Sequence, residues 1–147
     1  MRVRDIMTTN VKTIQSSETV QDAARKLDDH KIGELPVVDE SGAVVGIITE
    51  SDFIGKNETV PHGLTVPNLL GQWFYHSTVE EIFHSVKDDS VSEVMTPNPY
   101  TVTSDTPLTL VVKLMLKHKI GRLPVVDDGN LSGMVAKRDV LKAIVRC

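Results

Sequence analysis

Two short segments carry polar side chains in a spacing that suits ligand binding. Residues 46–52 and 133–139 each run from a glycine near the end of a predicted strand to an aspartate. In the first segment Thr49 follows the strand and Asp52 comes three residues later, so both lie on the first turn of a predicted helix. A helix N-terminus offers unpaired N–H groups that suit a phosphate, while a hydroxyl and a carboxylate beside it suit a ribose. The same two residues also form a helix cap that needs no ligand, and the sequence leaves both interpretations open.

The second segment differs from the first in charge. Ala136 stands in the threonine position, and the cations Lys137 and Arg138 precede Asp139. Alanine is a poorer N-cap than threonine by about 0.5–2 kcal/mol, and it lacks the hydroxyl that a ribose would contact. The two cations favour a phosphate, although a solvated helix start would have the same composition.

Both segments belong to an internal repeat. Residues 30–39 and 118–127 are identical at nine of ten positions, and the exception exchanges Glu34 for Arg122. Further matches extend the two copies on both sides, which indicates two similar structural units. We therefore expect a first repeat at 1–55, an insert at 56–90 and a second repeat at 91–147.

Each repeat is predicted to contain the same elements in the same order. A short strand, an amphipathic helix, a two-stranded hairpin and a closing helix follow one another. The short strands are expected at 11–14 and 100–102, and the last hairpin strands at 44–48 and 131–135. The apolar stripes of the helices are expected at Val20, Ala23, Ala24 and Leu27, at Leu108, Val111, Val112 and Met115, and at Val140, Leu141, Ile144 and Val145. In the second repeat Thr106 is the expected cap, and Pro107 is expected in the first helical turn.

The fold class expected from these elements is α+β (α/β mixed), with two pseudo-twofold-related repeats. Each repeat would form a small sheet flanked by two helices. A unit of about 50 residues buries little core alone, so we expect the two units to pack together. The core should be aliphatic, because 40 % of the residues are hydrophobic while only 4 % are aromatic.

Composition excludes several classes of protein. The net charge of −4 argues against a general nucleic-acid-binding protein, although residues 91–147 carry 8 basic against 5 acidic side chains. A single cysteine, Cys147, excludes an internal disulfide framework, and the five histidines show no metal-ligand spacing. No apolar run is long enough to span a bilayer, and the first residues do not resemble a secretory signal. We expect a cytoplasmic protein with no metal site and no catalytic residue.

The order of the motifs resembles a known family. Val-x-x-x-Met-Thr, an amphipathic helix, Leu-Pro-Val-Val-Asp and a hairpin that ends in Gly-x-x-Thr-x-x-Asp follow one another, and the second copy departs from this pattern only at Ala136. The pattern is similar to a tandem pair of cystathionine β-synthase (CBS) domains, a Bateman module. The resemblance implies a regulatory sensor that binds AMP, ADP, ATP or S-adenosylmethionine in clefts between the repeats. It also implies a homodimer and a separate protein that the module regulates.

The resemblance implies roles for individual residues as well. In related modules the residue before Leu-Pro often gives a basic side chain to the ligand phosphate, which fits Arg122 but not Glu34. We therefore expect two inequivalent clefts, of which the second accepts the phosphate. The expected phosphate and ribose contacts are Arg122, Lys137, Arg138 and Asp139 in the second cleft, and Thr49 and Asp52 in the first. The adenine walls are expected at Thr13, Ile14, Thr101, Val102, Leu123 and Pro124, with residues 35–37 and Val125, all of which a hydrophobic core would explain equally well.

Three other functions are consistent with parts of the sequence. The repeats would serve as a scaffold if the clefts stay empty and the chain dimerises or binds a partner protein. An enzyme is the second alternative, but the sequence contains neither a nucleophile elbow nor a glycine-rich phosphate loop. Nucleic-acid binding through the basic second repeat is the third.

The insert at 56–90 has a composition of its own. It holds four of the six aromatic residues of the chain, Trp73, Phe74, Tyr75 and Phe83, and residues 77–80 have the signature of a capping box. An aromatic cluster of this kind would pack on the core, cover a cleft or form a partner interface.

Overall fold

The structure is a computed structural model that describes residues 1–54, 81 and 83–147. Its fold is mixed α+β, with two small sheets and their helices, which confirms the predicted class. The helices whose full bounds lie within these residues are α1 (Val20–His30), α2 (Val91–Val94), α3 (Leu108–His118) and α4 (Lys137–Arg146), with 3-10 turns at Val3–Asp5 and Glu50–Ile54. Residues 83–86 are helical as well. The strands are β1 (Ile14–Gln15), β2 (Glu34–Val38), β3 (Val44–Thr49), β4 (Thr96–Pro97), β5 (Arg122–Asp127) and β6 (Asn130–Ala136). The predicted aromatic cluster at Trp73, Phe74 and Tyr75 and the capping box at 77–80 lie outside the described residues.

The first sheet has the strand order β1-β2-β3-β4. β1 lies parallel to β2, with Ile14 opposite Val37, and β3 runs antiparallel to β2 in the predicted hairpin. β4 pairs with β3, with Thr96 opposite Ile47. A segment that the sequence assigns to the second repeat therefore completes the sheet of the first.

The second sheet repeats this arrangement. β5 and β6 form an antiparallel hairpin, and single bridges occupy the places of the two outer strands. Val102 lies opposite Val125 in the parallel sense, and Thr8 lies opposite Met134 in the antiparallel sense. These four residues are the repeat equivalents of the residues that pair in the first sheet. The two units are therefore related by a pseudo-twofold axis, as predicted.

The units exchange the segments that begin the two repeats. The N-terminal segment, residues 3–8, belongs to the second folded unit, and residues 91–96 belong to the first. Val3 is fully buried in the core of the second unit, and Val91 is fully buried in the core of the first. Main-chain hydrogen bonds hold the N-terminal segment in place, from Val3 N to Thr106 O at 3.0 Å and from Thr8 N to Met134 O at 2.9 Å. The sequence predicts two contiguous repeats, whereas each folded unit contains residues from both.

Two glycines make room for the exchanged segments. A Cβ at Gly133 would lie 2.5 Å from the carbonyl oxygen of Thr8, and a Cβ at Gly46 would lie 2.9 Å from that of Thr96. A side chain at either position would collide with the main chain of the incoming segment. Glycine therefore allows the close approach of two strands in both units.

The two units have separate aliphatic cores. Helices α1 and α3 supply Ala23, Leu27, Val111 and Met115 to them, which confirms the predicted stripes. The other buried members are Ile14, Leu35, Val37, Ile48 and Val91 in the first core, and Val3, Val102, Leu123, Val125, Val135 and Val140 in the second. Phe83 of the predicted aromatic cluster packs edge-on against Phe53, with 6.4 Å between the ring centroids.

The N-terminal caps of α1 and α3, the first helices of the two units, differ. Thr19 caps α1, because its hydroxyl accepts a hydrogen bond from Asp22 N and the Asp22 carboxylate accepts one from Thr19 N, both at 3.1 Å. Pro107 occupies the cap position of α3, so the predicted Thr106 cap is wrong. The Thr106 hydroxyl instead accepts a hydrogen bond from Thr103 N at 3.0 Å, which ties it to the preceding turn.

The short outer strands are shorter than predicted. The strand expected at 11–14 reduces to Ile14–Gln15, and the one expected at 100–102 reduces to the bridge at Val102. The hairpin strands are longer than predicted by one residue or two, because their pairing continues to the start of the next helical turn.

The last helix has its buried face one position away from the predicted stripe. Val140 and Ala143 of α4 are buried, whereas Leu141, Ile144 and Val145 are 61 to 75 % exposed. The predicted stripe is therefore wrong for three of its four members, since only Val140 reaches the core. None of the helices in the described ranges has the length and apolar character that crossing a bilayer requires.

Candidate functional site

A cleft of about 290 Å³ lies where the two units meet. Its volume is just below the range found for small-molecule sites, about 300–1,000 Å³. The N-terminal segment and β2 of the first repeat form one side, and β5, β6 and the start of α4 form the other. Its lining residues are Thr8, Asn10, Val11, Lys12, Ile32, Glu34, Pro36, Arg122, Met134, Ala136, Arg138 and Asp139.

The start of α4 is fixed by two hydrogen bonds. The Asp139 carboxylate accepts one from Ala136 N at 2.8 Å, and Lys137 N donates one to Gly121 O at 2.9 Å. Three of the four residues predicted for the second cleft, Arg122, Arg138 and Asp139, line the cleft together. The Lys137 side chain is exposed and is not part of this lining.

The equivalent position in the first unit has the Asp52 hydrogen bond of the predicted capping arrangement. Asp52 is 3 % exposed, and its Oδ2 accepts a hydrogen bond from Thr49 N at 2.7 Å. Thr49 Oγ1 lies 3.3 Å from the same carboxylate oxygen and 2.9 Å from Ser51 Oγ. The helix predicted after Thr49 is a 3-10 turn in the described residues, Glu50–Ile54. Thr49 and Asp52 therefore bond to each other at the end of β3.

Glu34 and Arg122 meet in one cleft. Arg122 Nε lies 3.9 Å from Glu34 Oε1, and both side chains line the cleft. The sequence predicts that these residues belong to two different clefts, and this prediction is wrong. The reason is symmetry: both residues lie near the pseudo-twofold axis, where a residue contacts its own repeat equivalent.

Burial affects the titration of Glu34. Its side chain is 19 % exposed, while that of Arg122 is 48 % exposed. Burial raises the pKa of the Glu34 carboxyl above its usual value, and the Arg122 guanidinium opposes that shift. The desolvation effect is the larger of the two, so this position disfavours the charged form of Glu34 relative to the neutral form.

The cleft also contains residues that sequence reasoning missed. Lys12 adds a third cation, and Thr8 and Asn10 add polar groups from the exchanged N-terminal segment. Further apolar side chains come from Val11, Ile32 and Met134. The repeat pattern assigns the N-terminal segment to the first unit. The sequence therefore did not indicate that Thr8 and Asn10 would lie in the same cleft as Asp139.

Most of the predicted adenine walls lie elsewhere. The side chains of Ile14, Val102 and Leu123 are buried in the cores, and Pro124 is buried as well. Thr101 is exposed, and Thr13 lines a separate cavity of about 350 Å³ next to Asn130 and Ser132. None of these six residues lines the cleft, whereas Pro36 of the expected walls at 35–37 does. Thr49 and Asp52 are likewise outside its lining.

Comparison with known proteins identifies the family. The model of the CBS domain matches the chain twice, at residues 3–57 and 91–146. The chain belongs to the CBS domain family. It is 33 % identical over 138 residues to the CBS domain-containing protein YhcV of Bacillus subtilis, a match that covers 94 % of this chain and 81 % of YhcV.

Solved structures of CBS pairs have the same fold. The structure of CBSX2 from Arabidopsis thaliana in complex with AMP is 28 % identical, with a TM-score of 0.73, and the match covers 99 % of this chain and 97 % of that one. The CBS domain pair of protein MJ0100, in complex with 5′-methylthioadenosine and S-adenosyl-L-methionine, is 28 % identical with a TM-score of 0.70 and the same coverage. The chain spans about three-fifths of the full length of the Arabidopsis proteins CBSX2 and CBSX1.

Proposed function

We propose that this CBS pair is a non-catalytic regulatory module that binds an adenosyl ligand in the cleft between its repeats. AMP, ADP, ATP and S-adenosylmethionine are the candidate ligands. The observation that carries the proposal is the convergence of Arg122, Arg138 and Asp139 at the start of α4, in a cleft that both repeats line. The complexes of CBSX2 with AMP and of MJ0100 with two adenosyl compounds support it.

The charged residues of the cleft suit different parts of the ligand. The guanidinium groups of Arg122 and Arg138 suit a phosphate, because an arginine donates two parallel hydrogen bonds to an anion. The N-terminus of α4 adds a partial positive charge beside them. The Asp139 carboxylate accepts hydrogen bonds and therefore suits the ribose hydroxyls.

The apolar side chains suit the base. Val11 and Ile32 from the first repeat and Met134 from the second line the same cleft. An adenine placed among them leaves water and contacts both repeats at once. A ligand held in this way stabilises one relative arrangement of the repeats by its differential affinity, which is the physical requirement for regulation.

Calorimetry tests the proposal directly. AMP, ADP, ATP, S-adenosylmethionine and adenosine are titrated separately into the wild-type chain and into Asp139→Ala. We expect saturable binding of at least one adenosyl compound to the wild type and a loss of about tenfold or more in affinity for the variant. GMP serves as the ligand control. Absence of binding by all five compounds at millimolar concentration would overturn the proposal.

An exposed apolar face favours a second candidate function. Leu141, Ile144 and Val145 on α4 and Leu116 on α3 are 61 to 75 % exposed. Leu141, Ile144 and Val145 lie at helical spacing on α4, and exposed apolar faces are typical of protein–protein contacts. The expected homodimer and a scaffold role with empty clefts would both use such a surface, and neither requires a ligand.

The cytoplasmic location stays a prediction.

A further inference from the structure

An acidic side chain lies beside the cation that is expected to bind the phosphate. Glu34 Oε1 is 3.9 Å from Arg122 Nε, which is too long for a hydrogen bond, and no residue that the structure describes donates one to this oxygen. The contact is therefore a charge pair without hydrogen bonds. The carboxylate competes with any other anion for the guanidinium.

The two members of the pair differ in freedom to move. Arg122 is 48 % exposed, so its guanidinium can turn toward a ligand, whereas Glu34 is 19 % exposed in the wall of the cleft. The Glu34 charge therefore stays next to whatever occupies the cleft. Salt and water screen a partly buried charge less than a surface charge, so its effect on an anion there is larger.

The charges of the cleft limit how much negative charge it accepts. Its lining holds three cations, Lys12, Arg122 and Arg138, against the carboxylates Glu34 and Asp139. The two carboxylates offset two of the three cations. One positive charge therefore remains, which a ligand with one negative charge balances, whereas a ligand with two exceeds it by one and a ligand with four exceeds it by three.

We propose that Glu34 is a specificity-determining residue, which makes the cleft prefer adenosyl ligands with little or no phosphate charge over di- and triphosphates. The inference rests on the proposed function, because it concerns the selectivity of the same cleft. Arg122 attracts the first phosphate, while Glu34 repels this phosphate and each further one, so that binding becomes less favourable as phosphate charge is added. Adenosine monophosphate and uncharged or zwitterionic adenosyl compounds are therefore favoured over ATP.

The test compares ligands that differ only in phosphate charge. Adenosine, AMP and ATP are titrated by calorimetry, without divalent cations, into the wild type and Glu34→Gln. Glu34→Asp retains the charge, and Glu40→Gln removes an equal charge from an exposed turn. Thermal unfolding of each variant shows whether it is folded.

The expected result is a change in selectivity. Glu34→Gln should raise the affinity for AMP about tenfold and that for ATP by a larger factor, while adenosine changes less than about twofold. Glu34→Asp and Glu40→Gln should keep the wild-type ratios. If the three ligands bind and Glu34→Gln leaves their ratios unchanged, only this inference fails. If none of the three binds any variant, this inference fails, and the proposed function fails with it only if ADP and S-adenosylmethionine do not bind either.

Discussion

Gly133 lies directly against the main chain of Thr8, so that a Cβ at Gly133 would be 2.5 Å from the Thr8 carbonyl oxygen. This contact joins β6 of the second repeat to the N-terminal segment of the first. The same segment then continues as Asn10, Val11 and Lys12 along the wall of the cleft. Because Gly133 has no side chain, the N-terminal segment can pack against β6 and continue into the cleft wall that the repeat pattern did not predict.

Gly133→Ala should destabilise the chain. The added methyl group must displace the main chain of Thr8, and overpacking of this kind costs about 1–3 kcal/mol. Urea unfolding measures the change in the free energy of unfolding. Gly121→Ala is the matched control, because a Cβ there meets nothing within 4 Å, and its effect should stay within about 1 kcal/mol. Equal effects of the two substitutions would show that the exchanged segment does not pack as described.

Substitutions in the two repeats should affect nucleotide binding unequally. Arg122→Ala and Asp139→Ala each remove a charged group from the cleft, and hydrogen bonds to charged groups contribute about 1.5–3 kcal/mol. We expect each to weaken AMP binding by roughly 10- to 100-fold. Asp52→Ala, at the equivalent position outside the cleft lining, should weaken it less. Calorimetry measures the three affinities, and the reverse order would mean that the ligand occupies the Asp52 side.

Glu34→Gln should change how stability depends on pH. Burial raises the pKa of the Glu34 carboxyl in the folded state above its ordinary value of 4.5, so the folded wild type binds this proton more tightly than the unfolded chain. The wild type therefore loses stability as the pH rises from 4.5 through the folded pKa, and the uncharged variant does not.

The corresponding measurement is urea unfolding of wild type and variant between pH 4 and 7.5. The variant should be the more stable protein at pH 7.5, and the difference should disappear near pH 4, where both states of the wild type are protonated. Glu40→Gln, at an exposed residue, should give a difference that changes little with pH. A wild type more stable than Glu34→Gln at pH 7.5 would mean that attraction to Arg122 outweighs desolvation.

Thr19→Ala should weaken the start of α1. The Thr19 hydroxyl accepts the hydrogen bond from Asp22 N, and loss of such a cap costs about 0.5–2 kcal/mol. Thr109→Ala, at an exposed position inside α3, removes the same hydroxyl without removing a cap and should be neutral or slightly stabilising. Thermal unfolding compares the two. A larger effect at Thr109 would contradict the capping role of Thr19.

The exposed face of α4 should control the oligomeric state. Leu141 and Ile144 are more than 60 % exposed, and their burial against a second copy would provide the apolar contact of a homodimer. Leu141→Glu should shift the chain toward the monomer in light scattering. Leu110→Glu, at an exposed leucine on α3, is the comparison substitution. A wild type that stays monomeric at high concentration would rule out the homodimer.

Local patterns in the sequence predicted the local parts of the structure. The spacing of Thr49 and Asp52 indicates a capped turn, and that turn is present. The helical spacing of Ala23 and Leu27 indicates a buried face, and both side chains are buried. These features depend on residues close together along the chain, so one sequence contains enough information to predict them.

Contacts between the repeats were not predictable in the same way. The exchange of Val3 into the second core and the meeting of Glu34 with Arg122 depend on how the two units dock. The periodicity of apolar residues predicts which face of a single helix or strand is buried, but it does not predict how the two units pack against each other. For the same reason Ile14 and Val102, which suit either an adenine wall or a core, could not be assigned before the packing was known.

An adenosyl ligand that binds between the repeats at the start of α4 should change the amide environments there. Nuclear magnetic resonance of the ¹⁵N-labelled chain, titrated with AMP, measures this change residue by residue. We predict saturable shifts of the amide signals of residues 136–139 and of Val11 and Lys12, with smaller shifts at Thr49. Saturable shifts confined to residues 49–52, or no saturable shift at millimolar AMP, adenosine and S-adenosylmethionine, would contradict it.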